Sequence, residues 1–341
     1  MSVGIDYPFP TRRQREAEIN KNKILINLSH SKYPIIPKVV ASLSWNIIRN
    51  DNSDYDVYWS DRSRGVEKLL INSHYYQRIN HFPKMDEIYI KRNLIKSLLQ
   101  MKRLLHSSDL SMQYSNEYNF FPITWTLPND YNEIVRYLDQ NKTLPKESHN
   151  YVIIKPGSGA QGSGIYLADN KDYINAESNN IVQMYISNPM LIDGYKFDLR
   201  VYALILSCDP LRIYIYKDGL VRLCTIPYER PTTENMESTY MHLTNYSLNK
   251  ESSTYIQNNS HNINNSSKRT LQWLWTYLEK RLGRLVVLCI YKYFSLLLLY
   301  RCITVCVVMF VCVCVSIIVR IYECGCGCML LLYVDVFYIL L

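Results

Sequence analysis

Apolar positions change their rhythm three times along this chain. The runs ILINLS (24–29) and DVYWSD (56–61) predict short strands, separated by a helical stretch and an Asn/Asp-rich turn at 50–54. From Glu87 the spacing turns helical: Leu94, Leu98, Met101 and Leu105 recur on one side, with Lys91, Arg92, Lys96, Lys102 and Arg103 on the others, which predicts an amphipathic helix with a basic face. After Tyr151 the runs YVIIK, GIYLA, NIVQMYI, FDLRVYALILS, LRIYIYK and LVRLCTI predict strands. KDG (217–219) predicts a hairpin turn between the last two, because Asp-Gly tolerates positive φ. A polar loop follows at 258–267, and TLQWLWTYLEKRL then predicts a helix. The pattern is that of an α+β protein.

Beyond Leu285 the character is different. Residues 302–319 run for 18 positions without a charge, close to the ~20 a bilayer span needs. Two readings stand side by side: a membrane span, or translated noncoding sequence, since the alternating VCVCV and CGCGC look like a dinucleotide repeat. Metal binding by CGCGC is the weakest reading, because a zinc half-site separates its cysteines by two to four residues. Only Cys208 and Cys224 precede residue 285, as expected of a body made in a reducing compartment. The opening MSVGIDYPFPTRRQREAE has no apolar core of the secretory kind, so cytoplasmic synthesis is expected. Residues 1–22 read as a polar lead-in, and 283–341 as a tail apart from the folded body.

Charge adds a bias. With 38 Lys+Arg against 30 Asp+Glu, the chain favours an acidic partner: nucleic acid, an anionic membrane or an acidic protein tail.

The candidate chemistry lies in four places. YVIIKPGSGAQGSGIYL (151–167) holds four glycines within eight residues, directly after a lysine. Backbone amides freed of Cβ atoms converge on an anion in such a loop, and the lysine reaches the same charge, though a plain flexible hairpin fits too. In KFDLR (196–200), strand alternation sets Lys196, Asp198 and Arg200 on one side with Phe197 and Leu199 toward the core. Nucleotide contacts or a structural ion-pair ladder would each explain three charges there. YMHLTNYSLNK (240–250) offers the hydroxyl of Thr244, the amide of Asn245 and the phenol of Tyr246, suited to a ribose or phosphate and equally to a capped turn. Arg222 could clamp a carboxylate, or simply be exposed.

Taken together, IIKPGSGAQGSGIYL, the segment from IVQMYISNPM through KFDLRVYALILS to KDGLVRL, MHLTNYSLNK and the upstream INHFP resemble the tubulin tyrosine ligase-like family, most closely its polyglutamylase branch. The resemblance runs from about residue 23 to 282. It implies an ATP-grasp-like fold: an N-terminal α/β and linking lobe over 23–150 and a core over 151–282 whose C-terminal lobe is incomplete. It also implies an enzyme that activates an acceptor carboxylate with ATP as an acyl phosphate and joins it to a free amino acid. Carried onto this sequence, Lys155 binds phosphate beneath the loop of Gln161 and Gly162. Gln183, Met184, Tyr185 and Ile186 form the hinge at the base, met largely through backbone groups. Lys196, Asp198, Thr244 and Asn245 complete the ATP site, Arg200 faces the reacting phosphates, and Arg222, Tyr246 and Lys268 receive the incoming L-glutamate. Two cations favour an acidic amino acid over glycine.

The resemblance further implies Mg²⁺, held in the family by a later pair of acidic strands. After Leu282 this chain has only Glu323 and Asp335 and no asparagine, so no metal ligand is assigned, and a truncated, inactive product of a ligase gene is expected. The implied partners are tubulin and microtubules, through their acidic C-terminal tails, and no nucleic acid; a membrane enters only if 302–319 is a true span. The implied location is the cytoplasm and cytoskeleton, with cilium or basal body as further sites. A catalytically dead microtubule-binding relative and a glycylase of the same family are the alternatives.

Overall fold

A computed structural model describes residues 24–50, 54–63, 65–106, 120–159, 161–208, 210–257, 265–284, 327–328 and 330–336. The lead-in at 1–22 and the apolar run 302–319 lie outside them, as does most of the polar loop. The chain divides into two compact units: Met1–Met85 with Ile205–Arg212 and Ser316–Leu331, and Asp86–Leu204 with Ile213–Val315 and Leu332–Leu341.

The first unit is built on strands β1 (Leu25–Asn27), β2 (Asn46–Ile48), β3 (Val57–Tyr58) and β4 (Arg78–Ile79), with helix α1 (Ile35–Ser42) between β1 and β2 and α2 (Val66–Asn72) between β3 and β4. All pairings are parallel, in the order β4-β3-β1-β2. Parallel neighbours need a crossover, and the intervening apolar helices supply it. Ile36 and Val40 of α1 pack with Ile26, Leu28 and Val57, while Leu69 and Leu70 of α2 pack with Tyr58 and Ile79.

The second unit opens with α3 (Asp86–Tyr89) and α4 (Lys91–His106), the predicted basic amphipathic helix. Then come β5 (Thr124–Thr126), α5 (Tyr131–Asp139), β6 (Val152–Pro156), β7 (Tyr166–Ala168) and β8 (Asn180–Met184), forming an antiparallel sheet in the order β5-β8-β6-β7. The unbroken apolar run of β6 is explained by burial on both faces. Val152 and Ile154 meet Leu127, Ile134, Leu138 and Val182 on one side; Ile153 meets Leu167, Tyr185 and Leu243 on the other. Each such fully buried aliphatic chain stabilises the fold by about 1.5–3 kcal/mol.

The remaining elements are β9 (Leu191–Ile192), β10 (Tyr195–Cys208), β11 (Leu211–Leu223), α6 (Thr239–His242), α7 (Tyr246–Asn249), β12 (Lys268–Thr270), α8 (Leu271–Leu282), β13 (Gly327–Cys328) and β14 (Leu330–Val336). Strand β13 pairs with β4, and β12, β11, β10 and β14 form the third sheet in that order. Helix α8 seals this sheet, burying Leu271, Leu274 and Leu278 against Ile192, Val201, Val221 and Leu223. Thr270 caps its start, its hydroxyl accepting from the amide of Trp273 at 3.1 Å.

One expectation is overturned. KDG makes no turn: LRIYIYK and LVRL are one strand, β11, that runs straight through it, and two residues separate the end of β10 from the start of β11. Gly219 is required for another reason. A Cβ there would collide with the carbonyl oxygen of Arg200 on the neighbouring strand. The glycine permits a close strand approach, not a bend.

Among the described residues no helix is long and apolar enough to cross a membrane.

Candidate functional site

The predicted site residues of the second unit converge around three features: the glycine loop, the start of β10 and the α6–α7 segment. Lys155, the last charged position of β6, is 8 % exposed and donates to Oε1 of Gln183 at 2.7 Å. Gln183 in turn donates through Nε2 to the hydroxyl of Thr124 at 2.9 Å. Burial, and then the nearby Lys91, push the Lys155 ammonium down to about 8.

Lys91 is a residue the sequence marked only as part of a basic helix face. Its Nζ donates to the carbonyl of Gly159 at 2.6 Å, and the backbone amide of Arg92 donates to Gly157 at 3.2 Å. The head of α4 therefore grips the glycine loop. At the far side of the loop Gly162 has φ +88°, and a Cβ there would stand 2.7 Å from Cδ1 of Leu248 and 3.0 Å from Cγ of Asn245. So the loop lies against the TNYSL segment. Gln161 beside it also adopts positive φ, +68°.

Lys196 is 1 % exposed, not a member of a solvated row. Its Nζ donates to the phenol of Tyr185 at 2.7 Å and to the carbonyl of His242 at 2.9 Å. Burial lowers it to about 7, and Lys155 adds to that lowering. Tyr185 also bonds Nδ1 of His242 at 3.1 Å, and burial pushes that imidazole down to about 4, which keeps it neutral. Nothing in the local pattern singles out His242 beyond its place in MHLTN.

Asp198 and Arg222 find each other. Nε of Arg222 donates to Oδ1 at 2.8 Å and a terminal nitrogen donates to Oδ2, a two-pronged pair in which both side chains are about 10 % exposed or less. Arg222 is thus buried, against the simple surface reading, and the pair is the ion-pair rung that KFDLR left open. Two of its five N–H donors are engaged by Asp198. Across the β11–β12 ladder Arg222 stands directly opposite Lys268, whose Nζ lies 4.5 Å from the ring centre of Tyr246. The three residues expected around an amino acid are neighbours. Arg200 is half-buried on β10, two residues beyond Asp198.

The TNYSLN segment has apolar anchors after all: Met241 and Leu243 are buried, as is Thr244. Asn249, unremarked in the sequence, fixes it. Its amide donates to the carbonyls of Leu243 (2.6 Å) and Asn245 (3.1 Å), and its oxygen accepts from the amide and hydroxyl of Thr225, both at 3.1 Å.

Met184, Tyr185 and Ile186, expected to form a hinge, line a hollow of about 560 Å³, with Ile123, Tyr151 and Arg230 among its other walls. The amides of Met184 and Tyr185 donate to the carbonyls of Ile123 and Tyr151, both at 2.8 Å, so these two amides serve the sheet. Among the described residues no three acidic, histidine or cysteine side chains gather. Asp198 lends both its oxygens to Arg222.

Comparison with protein families matches residues 69–308 to the tubulin-tyrosine ligase family. The chain belongs to that family. Among curated proteins it is similar to tubulin polyglutamylase TTLL7 of Xenopus tropicalis, 36 % identical over 283 residues, 82 % of this chain and 30 % of that protein. It is similar to tubulin polyglutamylase ttll6 of Danio rerio, 38 % identical over 259 residues, 75 % of this chain and 30 % of the relative. The mouse tubulin polyglutamylase TTLL13 is 38 % identical over 269 residues, covering 79 % and 31 %. The chain thus spans about a third of the length of these relatives. Membership accounts for the mixed helices and sheets and for the motifs clustered at the site.

Proposed function

We propose that this chain carries the nucleotide and amino-acid sites of an ATP-dependent tubulin polyglutamylase, arranged in an ATP-grasp-like fold. The observation that carries the reading is two buried lysines whose charges act on each other, both lowered by burial: Lys155, at the foot of a glycine loop held by α4 and α7, and Lys196, held by Tyr185 and the carbonyl of His242. An ammonium so placed gains most when an anion arrives, because the anion restores the charge that burial penalises. The names of the similar proteins point the same way.

In this reading Lys155 and Lys196 hold phosphate oxygens beneath Gln161 and Gly162, and the base enters the hollow beside Gln183 to Ile186. Asp198, Thr244 and Asn245 border the nucleotide. Arg200 steadies charge on the transferred phosphoryl group. A carboxylate oxygen of the acceptor glutamate attacks the γ-phosphorus, the bond to the β–γ bridging oxygen breaks, and ADP leaves. The amine of free L-glutamate then attacks the acyl carbon, phosphate departs with its oxygen, and the nitrogen gives up a proton to leave an isopeptide bond. Lys268 and the outer N–H groups of Arg222 hold the carboxylates of that glutamate, with Tyr246 alongside. Acidic tubulin tails suit a chain of net charge +8, and microtubules are its expected location, cilia included.

Incorporation of labelled glutamate into tubulin tests this, with ATP binding followed in parallel. Lys155→Ala is expected to weaken ATP roughly 10- to 100-fold through loss of a charge-assisted contact. Arg222→Lys is expected to keep ATP affinity and lose incorporation, since an ammonium cannot replace the two-pronged guanidinium. Absence of saturable ATP binding would falsify the reading. ATP binding with no incorporation would identify instead a non-catalytic member that docks on microtubules.

A further inference from the structure

Helix α4 turns a second face away from its apolar core. Arg92, Lys96, Leu99 and Arg103 stand at i, i+4, i+7 and i+11, so they form one stripe about 16 Å long. That stripe is one wall of a hollow of about 310 Å³, and Thr126 and Asp130 stand on the other. Lys96 and Arg103 are exposed. Arg92 anchors one end, donating to Oδ1 of Asn179 at 2.7 Å. The hollow has one carboxylate, and it is occupied: Oδ2 of Asp130 accepts from the amide and the hydroxyl of Thr126, at 2.7 and 3.0 Å. Against that single negative charge stand the three cations of the helix, so the hollow keeps a positive balance.

The position of the hollow gives the stripe meaning. Thr126 pairs with Ile181 and Ile181 with Lys155, so the three share one row on one face of the sheet. Two strand spacings, roughly 10 Å, separate the hollow from the lysine at the glycine loop. The loop itself is tied to the head of the same helix through Lys91 and Arg92.

The geometry points to this groove as the docking track for an acidic polypeptide, the acceptor chain whose glutamate side chain reaches the site by Lys155. The inference rests on the reading of the chain as a glutamate ligase and names the surface that would hold its protein substrate. Sixteen ångströms match about five extended residues, and spaced cations facing consecutive carboxylates raise the capture rate and fix the direction of the chain more than they add affinity per contact. An acceptor held along α4 would present one carboxylate at a time.

The test uses the whole chain and a fluorescein-labelled glutamate-rich peptide of about ten residues, followed by anisotropy at low salt, with a glutamine peptide of equal length as control. A fluorescent ATP analogue is titrated into each protein in parallel. Lys96→Glu with Arg103→Glu is expected to weaken the acidic peptide at least about 10-fold while leaving the analogue unchanged; the neutral pair Lys96→Gln with Arg103→Gln should fall between. Equal binding of the two peptides, or acidic-peptide binding indifferent to both double variants, overturns the groove even where the analogue binds normally. Tighter capture of a single-stranded RNA than of the acidic peptide overturns it as well, as does acidic-peptide binding that emerges only when residues 107–119, with Asp109 and Glu117, are deleted. Charge-dependent peptide binding in a chain that ignores the analogue supports the groove and refutes the nucleotide reading.

Discussion

Lys196 donates to the phenol of Tyr185 at 2.7 Å, and the same ammonium lies 4.2 Å from the centre of that ring. The tyrosine therefore meets the cation with both its lone pair and its π-face. Burial nevertheless lowers Lys196 to about 7, well below the ordinary 10.5.

That displacement fixes the sign of two pH effects. Between its folded and unfolded values a lowered amine binds fewer protons in the native state, so stability rises with pH. Urea midpoints of the free chain are expected to climb from about pH 7 toward 10, with Lys155 adding its part above about 8. In the proposed reading, nucleotide phosphates push both amines back up. Binding at pH 8 should take up protons, seen as a heat that depends on the ionisation enthalpy of the buffer; proton release would contradict the placement of phosphate at these lysines.

The Asp198–Arg222 pair makes its own prediction. Asp198→Asn strands a guanidinium in a site only about 10 % exposed, and a loss of about 3–5 kcal/mol of unfolding free energy is expected. Removing both charges, with Asp198→Leu and Arg222→Met together, should cost less than that single change. Simple additivity in denaturant unfolding would show the pair to be uncoupled.

Gly219→Ala drives a methyl group into the carbonyl of Arg200. Backbone has no rotamer to escape with, so a loss of about 1–3 kcal/mol is expected. A circular dichroism melt unchanged from the parent chain would mean that the strands separate freely there.

Much of the architecture was legible because short β-branched runs bounded by turn residues have few alternatives. The run of β6 and the amphipathic spacing of α4 are examples. KDG misled because Asp-Gly is a strong hairpin signal only when no partner strand passes close by; here β10 does, and nothing within 217–219 records it. The site was legible as a set of residue types and not as a set of contacts. KFDLR marks Lys196 only as one of three charges on a strand face, since the groups that bury it, Tyr185 and His242, lie 11 and 46 residues away. Lys91 reads as a solvated helix lysine, and its carbonyl partner is 68 residues further on. Long-range pairing decides such roles, and local pattern carries no trace of it.

Gln183 belongs to the hinge segment yet holds the Lys155 ammonium through its side chain. In the proposed reading, a phosphate drawing that ammonium away frees Oε1 of Gln183, one residue before Met184 in the wall of the hollow, while its Nε2 stays on Thr124. Recognition of the two ends of a nucleotide would then be one event, so swapping the base and shortening the phosphate tail should give penalties that fail to add.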